Sequence, residues 1–223
     1  RTEKEISQSD ETISGDIYIG TGETDGVRQI ARTACQLQKS YPGILFHIVS
    51  GDAVDVCERL DKGLLDFGVL IQPADLSKYD YVNLPEKDVW GVVTRKDSPL
   101  AARQAITRQD LLGEPLILSR QAIRRTSAKN EFIEWFKDDF EKLDVVATLN
   151  LVYNAALLAE SGVGHVVTLD GLVNTSEHSN LCFRFLEPRL ESGLNIVWKK
   201  YQVFSPAAEV FLQKIQEAFG ETV

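Results

Sequence analysis

The chain repeats one beat: a short apolar run, a polar loop, then apolar residues at helical spacing. Asp16-Ile17-Tyr18-Ile19-Gly20 breaks into Thr21-Gly22-Glu23-Thr24-Asp25, and Phe46-His47-Ile48-Val49 breaks into Ser50-Gly51-Asp52. A third run, Phe67-Gly68-Val69-Leu70-Ile71, ends at Gln72-Pro73. Strand, helix, strand, helix, strand in this order is a doubly wound α/β pattern. Parallel strands that end in Ser, Thr, Gly and Asp bind small molecules at those ends. The beat therefore points to a receptor for a small ligand.

The helices can be placed from their spacing. The first is expected over Asp25 to Ser40, with Val27, Ile30, Ala31, Ala34 and Leu37 on its apolar face, and it stops at Tyr41-Pro42-Gly43. The second is expected over Ala53 to Lys62, with Ala53, Val56, Cys57 and Leu60 inward and Gly63 as the left-handed closing residue. A strand lies around Val89–Val93, and Arg95-Lys96-Asp97-Ser98-Pro99 is a connection. A second α/β set opens at Leu111-Leu112-Gly113-Glu114-Pro115. It continues with strand Leu116–Leu118 and a helix over Ser127 to Lys142, which turns Phe132, Ile133, Phe136, Phe140 and Leu143 inward. Strand Val145–Leu149, helix Leu151–Ser161 closed by Gly162, and strand His165–Thr168 follow. Leu194–Trp198 is a strand. Ser205-Pro206 gives an N-cap and a proline at the first helical position. The closing helix carries Val210, Phe211, Ile215, Ala218 and Phe219 inward.

Composition removes several classes. The 223 residues, 43% of them hydrophobic, suffice for one core or two small ones. A formal net charge of −9 makes the chain by itself a poor nucleic-acid binder. The longest apolar runs are strand-length, so no segment is a membrane span and no membrane partner is expected. No charged and apolar leader pattern is visible. Cys35, Cys57 and Cys182 are odd in number and lack metal spacing, and Cys35 and Cys57 fall on expected apolar helix faces. A reducing cytoplasm is the natural setting. The chain opens at Arg1 and contains no methionine, which reads as a fragment of a longer protein, with polar residues 1–13 as the end of a linker.

The order of the pieces resembles the effector-binding domain of LysR-type transcriptional regulators over residues 14–220. Carrying the resemblance are Gly15-Asp16-Ile17-Tyr18-Ile19-Gly20, Tyr41-Pro42-Gly43 and Gly63-Leu64-Leu65-Asp66-Phe67-Gly68-Val69. So do Asp97-Ser98-Pro99-Leu100-Ala101, Asp110-Leu111-Leu112, Ala159-Glu160-Ser161-Gly162-Val163-Gly164 and Ser205-Pro206-Ala207-Ala208. The resemblance implies two Rossmann-like lobes joined by two crossover strands, as in type 2 periplasmic binding proteins. Lobe I would be 14–94 plus 190–220, and lobe II 95–189. It also implies an amino-terminal winged helix-turn-helix that carries the DNA contact and is missing here. Self-association as dimers or tetramers is implied, with the helix Asp25–Ser40 as a pairing element; an ordinary core-packed helix fits that segment equally.

Ligand contacts are expected from loops after strands. In Gly22-Glu23-Thr24-Asp25, either Thr24 and the backbone amides meet the ligand, or Thr24 or Asp25 caps the helix. Helix N-termini favour anions, but Glu23 and Asp25 oppose one, so an amine-bearing or zwitterionic effector is expected unless Asp25 turns to the helix amides. In Ser50-Gly51-Asp52, Gly51 permits close approach and Asp52 is either a cap or a contact. Gln72 reads ligand or only turns the chain. Ser119 and Arg120 follow the Leu116–Leu118 strand. Arg120 binds a carboxylate bidentately or is a solvated side chain beside Arg124 and Arg125. Asn150 and Tyr153 begin the next helix, Asn150 as contact or cap, and Thr168 closes the set.

No catalytic role is expected. His47, His165 and His178 lack a neighbouring nucleophile or metal spacing. Gly20-Thr21-Gly22 is not a dinucleotide fingerprint, because Asp25 stands where glycine is needed. No cofactor is implied. Two other classes on the same fold are a transporter's solute-binding protein, disfavoured by the missing leader, and an enzyme, for which no acid, base and nucleophile converge.

Overall fold

The computed structural model describes residues 13–220, so the expected linker end lies outside the described residues except for Ile13. The first beat builds β1 (Ser14–Thr21), α1 (Val27–Ser40), β2 (Gly43–Ser50), α2 (Ala53–Asp61) and β3 (Phe67–Ile71). β1 lies between β2 and β3, parallel to both. Gly63 takes φ +72 and ends α2, as its sequence position implied.

β4 (Tyr79–Arg95) is 17 residues long and crosses the molecule. Its first part pairs antiparallel with β9 (Glu191–Lys199), its last part with β7 (His165–Leu169) and β8 (Leu181–Phe185). Between lie α3 (Arg108–Leu111), β5 (Pro115–Ser119), α4 (Glu131–Phe136), β6 (Asp144–Leu149) and α5 (Val152–Glu160), and α6 (Pro206–Phe219) ends the fold. The strand order is β2-β1-β3-β9-β4-β7-β5-β6, with β8 also on β4. Two lobes thus hang on two antiparallel crossover strands, β4 and β9.

Each lobe has its own core. In the first, Phe67 stacks on Phe204 at 5.2 Å and meets the edge of Phe211 at 5.1 Å, sealing α6 onto the sheet with Ile17, Ile19 and Leu37. In the second, Trp90, Phe132 and Phe136 pack with Leu116, Leu118 and Val167. Burying each such aromatic ring contributes about 2–3 kcal/mol of transfer free energy. The Ser205 hydroxyl accepts from the Ala208 N–H, with Pro206 at the first helical position.

Several expectations need correction. The helix expected over Ser127–Lys142 is α4 alone, continued by a 3₁₀ turn, Lys137–Lys142. It starts late because the Asn130 side chain accepts from the Ile133 N–H, and it breaks at Lys137, where φ reaches +51. Ala31 and Cys35 are exposed on α1, whose buried side is Gln29, Ile30, Thr33 and Leu37. On α6, Ala207 and Ala208 are buried and Ala218 is exposed. Among the described residues no helix is long and apolar enough to cross a membrane.

Candidate ligand-binding cleft

The carboxyl ends of strands from both lobes meet at one cavity. Gly22 and Glu23 come from the loop after β1, Asp52 follows β2, and Ile71, Gln72 and Pro73 end β3. From the other lobe come Ser119, Gln121 and Ala122 after β5, Leu149 to Val152 after β6, and Thr168 and Leu169 at the end of β7, with Trp90 of β4 and Leu172. The cavity encloses about 60 Å³, room for a few waters or a very small solute. Its walls combine apolar side chains with a few convergent polar groups, the usual make-up of a small-molecule site.

The cavity is small because the lobes are tied across it. Arg120 donates from Nε to Asp52 Oδ2 at 2.5 Å, and from Nη2 to Asp52 Oδ1 and Asp55 Oδ1, each at 3.0 Å. Hydrogen bonding to Asp52, reinforced by both carboxylate charges, raises the Arg120 pKa further. Asp52 also caps α2 in a capping box with Asp55. Partial desolvation pushes the Asp55 carboxyl up. The Asp52 N–H, Asn150 and the Arg120 charge outweigh this and hold it below the usual carboxylate range. Gln121 makes a second tie: its Oε1 accepts from Ala53 N–H at 2.8 Å, while Nε2 donates to the carbonyls of Ile71 and Pro73 at 2.7 and 2.8 Å. A third joins Glu23 Oε2 to the N–H of Val152, at 3.0 Å.

Of the residues chosen from sequence, Gly22, Glu23, Asp52, Gln72, Ser119, Asn150 and Thr168 line this cavity. Thr24, Ser50, Gly51, Arg120 and Tyr153 do not. The Thr24 hydroxyl donates to Asp88 Oδ2 at 2.6 Å and accepts from the Gly26 N–H at 2.9 Å. Thr24, Ser50 and Tyr153 border a neighbouring open groove. Gly51 gives its N–H to the Thr21 carbonyl, and a Cβ there would come within 2.5 Å of Asp55 Cβ, so its lack of a side chain makes room for Asp55. Arg120 does bind a carboxylate bidentately, but the carboxylate is the chain's own Asp52. Asp52 resolves as both cap and cavity wall. Gln72 spends its amide on Asn195 Oδ1 and the Ala74 N–H. Asn150 accepts from Leu151 N–H and reaches Asp55 at 3.4 Å rather than capping α5. Asp25 turns outward onto Arg28, so it adds no charge to the cavity.

Sequence reasoning missed Gln121, Trp90 and the apolar walls. Gln121 stands one residue after Arg120 in the same loop, so the strand-end rule reached its neighbour; its three bonds are visible only in three dimensions. Trp90 donates from Nε1 to Ser192 Oγ at 2.7 Å, which fixes the indole where β4 crosses between lobes.

Behind the β1 loop, Asp88 is buried, and desolvation pushes its carboxyl up to about 6; the Thr24 hydrogen bond pulls it down and the Asp25 charge adds to the rise. His165 contacts Thr94 Oγ1 at 2.7 Å and Glu114 Oε2 at 3.1 Å, an arrangement its sequence neighbours did not suggest. Thr94 is 1% exposed, so the trio ties β4, β7 and the start of β5 together without offering a reachable nucleophile. No grouping of His, Cys, Asp and Glu among the described residues suits a metal ion.

The sequence pattern described as "LysR substrate binding domain" matches residues 10–220. The chain belongs to this family. Among similar LysR-family and other HTH-type regulators, YvbU of Bacillus subtilis (strain 168) is 25% identical over 92% of this chain and 68% of its own length. The Hca operon transcriptional activator HcaR of Escherichia coli (strain K12) is 24% identical over 96% of this chain and 70% of its own. Among solved structures, the effector-binding domain of QuiR in complex with shikimate superposes with a TM-score of 0.71 at 18% identity, covering 91% of this chain and 95% of that one. Oxidised OxyR gives 0.69 at 18% identity, over 93% and 95%. These neighbours share this chain's fold, which is of the type 2 periplasmic-binding-protein kind.

Proposed function

We propose that this chain is the effector-sensing part of a LysR-type transcriptional regulator, with a small molecule held in the cavity between the lobes. The observation that carries the reading is the convergence of strand ends from both lobes on one partly polar cavity. We assign the ligand contacts to Gly22, Glu23, Asp52, Gln72, Ser119, Asn150 and Thr168, adding Gln121 and Trp90, and no catalytic residue. The lobes divide as 14–94 plus 190–220 and 95–189, with the crossover strands shared between their cores. A ligand that fits one lobe arrangement better than another shifts their balance by its differential affinity. In a cytoplasmic dimer or tetramer that shift re-spaces amino-terminal winged helix-turn-helix heads on DNA. Kinship with transcriptional regulators favours this over a transporter's solute-binding protein.

A thermal-shift screen of amino acids, amines, amides, small carboxylates and alcohols tests the reading, since a ligand of the folded state raises the midpoint. Ala122 lines the cavity and is buried. Hits are expected to vanish in Ala122→Phe and to weaken about tenfold in Thr168→Val, a loss of about 1.4 kcal/mol. Hits that survive both substitutions overturn the placement of the site.

A further inference from the structure

α5 begins without a cap of its own. Leu151 occupies the N-cap position and has no acceptor, and Asn150 spends its Oδ1 on the Leu151 N–H. The first helical N–H, on Val152, is taken by Glu23, 129 positions away in the other lobe. A helix start gathers unpaired N–H groups and the positive end of the dipole, so an anion is its natural occupant. Here the protein supplies that anion itself. Independently, Thr168 is 6% exposed, lines the same cavity, and its hydroxyl has no protein hydrogen-bond partner among the described residues. A hydroxyl that a largely buried residue leaves open to a cavity is available to hydrogen-bond a ligand there. The other carboxylate on the wall, Asp52, is matched by Arg120. Trp90, Leu149, Leu169 and Leu172 supply an apolar bed between these polar points.

We infer that Glu23 is a built-in carboxylate standing where an effector's anionic group would dock, so that the effector is a small uncharged molecule with an apolar body and one hydrogen-bonding end directed at Thr168. This rests on the cleft being the effector site. An incoming carboxylate would have to displace Glu23 from Val152 or lie against it, a like-charge contact in a cavity with little water to screen it. An incoming cation would have to compete with the helix end for the same Glu23 oxygens.

The test uses butyrate as the carboxylate probe, with thermal shift and calorimetry on wild type, Glu23→Ala and Glu23→Gln. Glu23→Ala frees the Val152 N–H and vacates the anion position; Glu23→Gln keeps an acceptor there and serves as the folded control. Butyrate is expected to bind Glu23→Ala at least tenfold more tightly than it binds either other protein. Equal binding to all three, or no binding to Glu23→Ala, overturns the inference. In the compound screen on wild type, uncharged hits support it and a charged hit of either sign overturns it. The two readings fail separately. If hits are lost in Ala122→Phe but butyrate ignores Glu23→Ala, only the built-in anion falls. If butyrate fills Glu23→Ala while the hits persist in Ala122→Phe, the anion position stands and the effector site lies elsewhere.

Discussion

Asp52 does three jobs with one side chain: it caps α2, binds Arg120 and forms part of the cavity wall. Its side chain is 3% exposed while that of Arg120 is 45% exposed, so the arginine is the accessible half of the pair. Arg120→Met strands a buried charge and should lower stability by about 2 kcal/mol, read from the urea midpoint. Asp88 has the opposite character. Its carboxyl lies at about 6 in the fold, against about 3.9 in an unfolded chain. The folded state therefore binds this proton more tightly. The site's stabilising contribution is complete below about pH 4 and is lost as pH rises through about 6. Asp88→Asn should gain about 1–3 kcal/mol over wild type at pH 8 and little at pH 4. Urea titrations at the two pH values check this, and an advantage independent of pH would refute it. Neither behaviour was legible beforehand. Asp52 and Arg120 are 68 positions apart, and Asp88 sat in a segment with no recognised strand.

The elements with clean periodicity were read correctly, because a period of two or of 3.6 is a local property. β1, β2 and β3 alternate or run apolar, and α2, α5 and α6 begin and end close to where the sequence suggested. The first half of β4 was invisible. Asp80, Asn83, Glu86, Lys87 and Asp88 dilute its apolar face, and an irregularity between Leu84 and Asp88 breaks the alternation. β8 escaped notice because Arg184 interrupts its short apolar run. The candidate site was half legible for a related reason: strand ends locate loops, but not which side chain of a loop turns inward. Two substitutions test elements rather than residues. At Gly91 of β4 an added Cβ would stand 2.5 Å from the Arg184 carbonyl oxygen, so Gly91→Ala must push β8 aside and should destabilise by about 1–3 kcal/mol in thermal denaturation. Gln121→Ala removes all three bonds of the second tie and should loosen the loop after β5, seen as faster amide exchange at Ala53 than at Val56.

At the scale of the whole molecule, the ties made by Arg120, Gln121, Glu23 and Asn150 hold the lobes together over a small cavity. Removing two of them, in Arg120→Ala with Gln121→Ala, should increase the radius of gyration in small-angle scattering. It should also weaken any hit that prefers the closed arrangement, since apparent affinity falls with the population of the competent state. A double variant as compact as wild type would mean that β4 and β9, with the remaining Glu23–Val152 and Asn150–Asp55 bonds, suffice to fix the lobe angle. Those crossover strands also impose an order in time. Gln72 and its partner Asn195 are 123 positions apart, and Phe67 finds Phe204 and Phe211 only when α6 arrives. On a ribosome adding about 5–20 residues per second, β3 waits roughly 6–25 seconds with one edge bare. The second lobe is made whole within that interval. The lobe that begins the chain is thus the last to close, and each newborn copy passes through a stage in which an unfinished sheet must be kept from its neighbours.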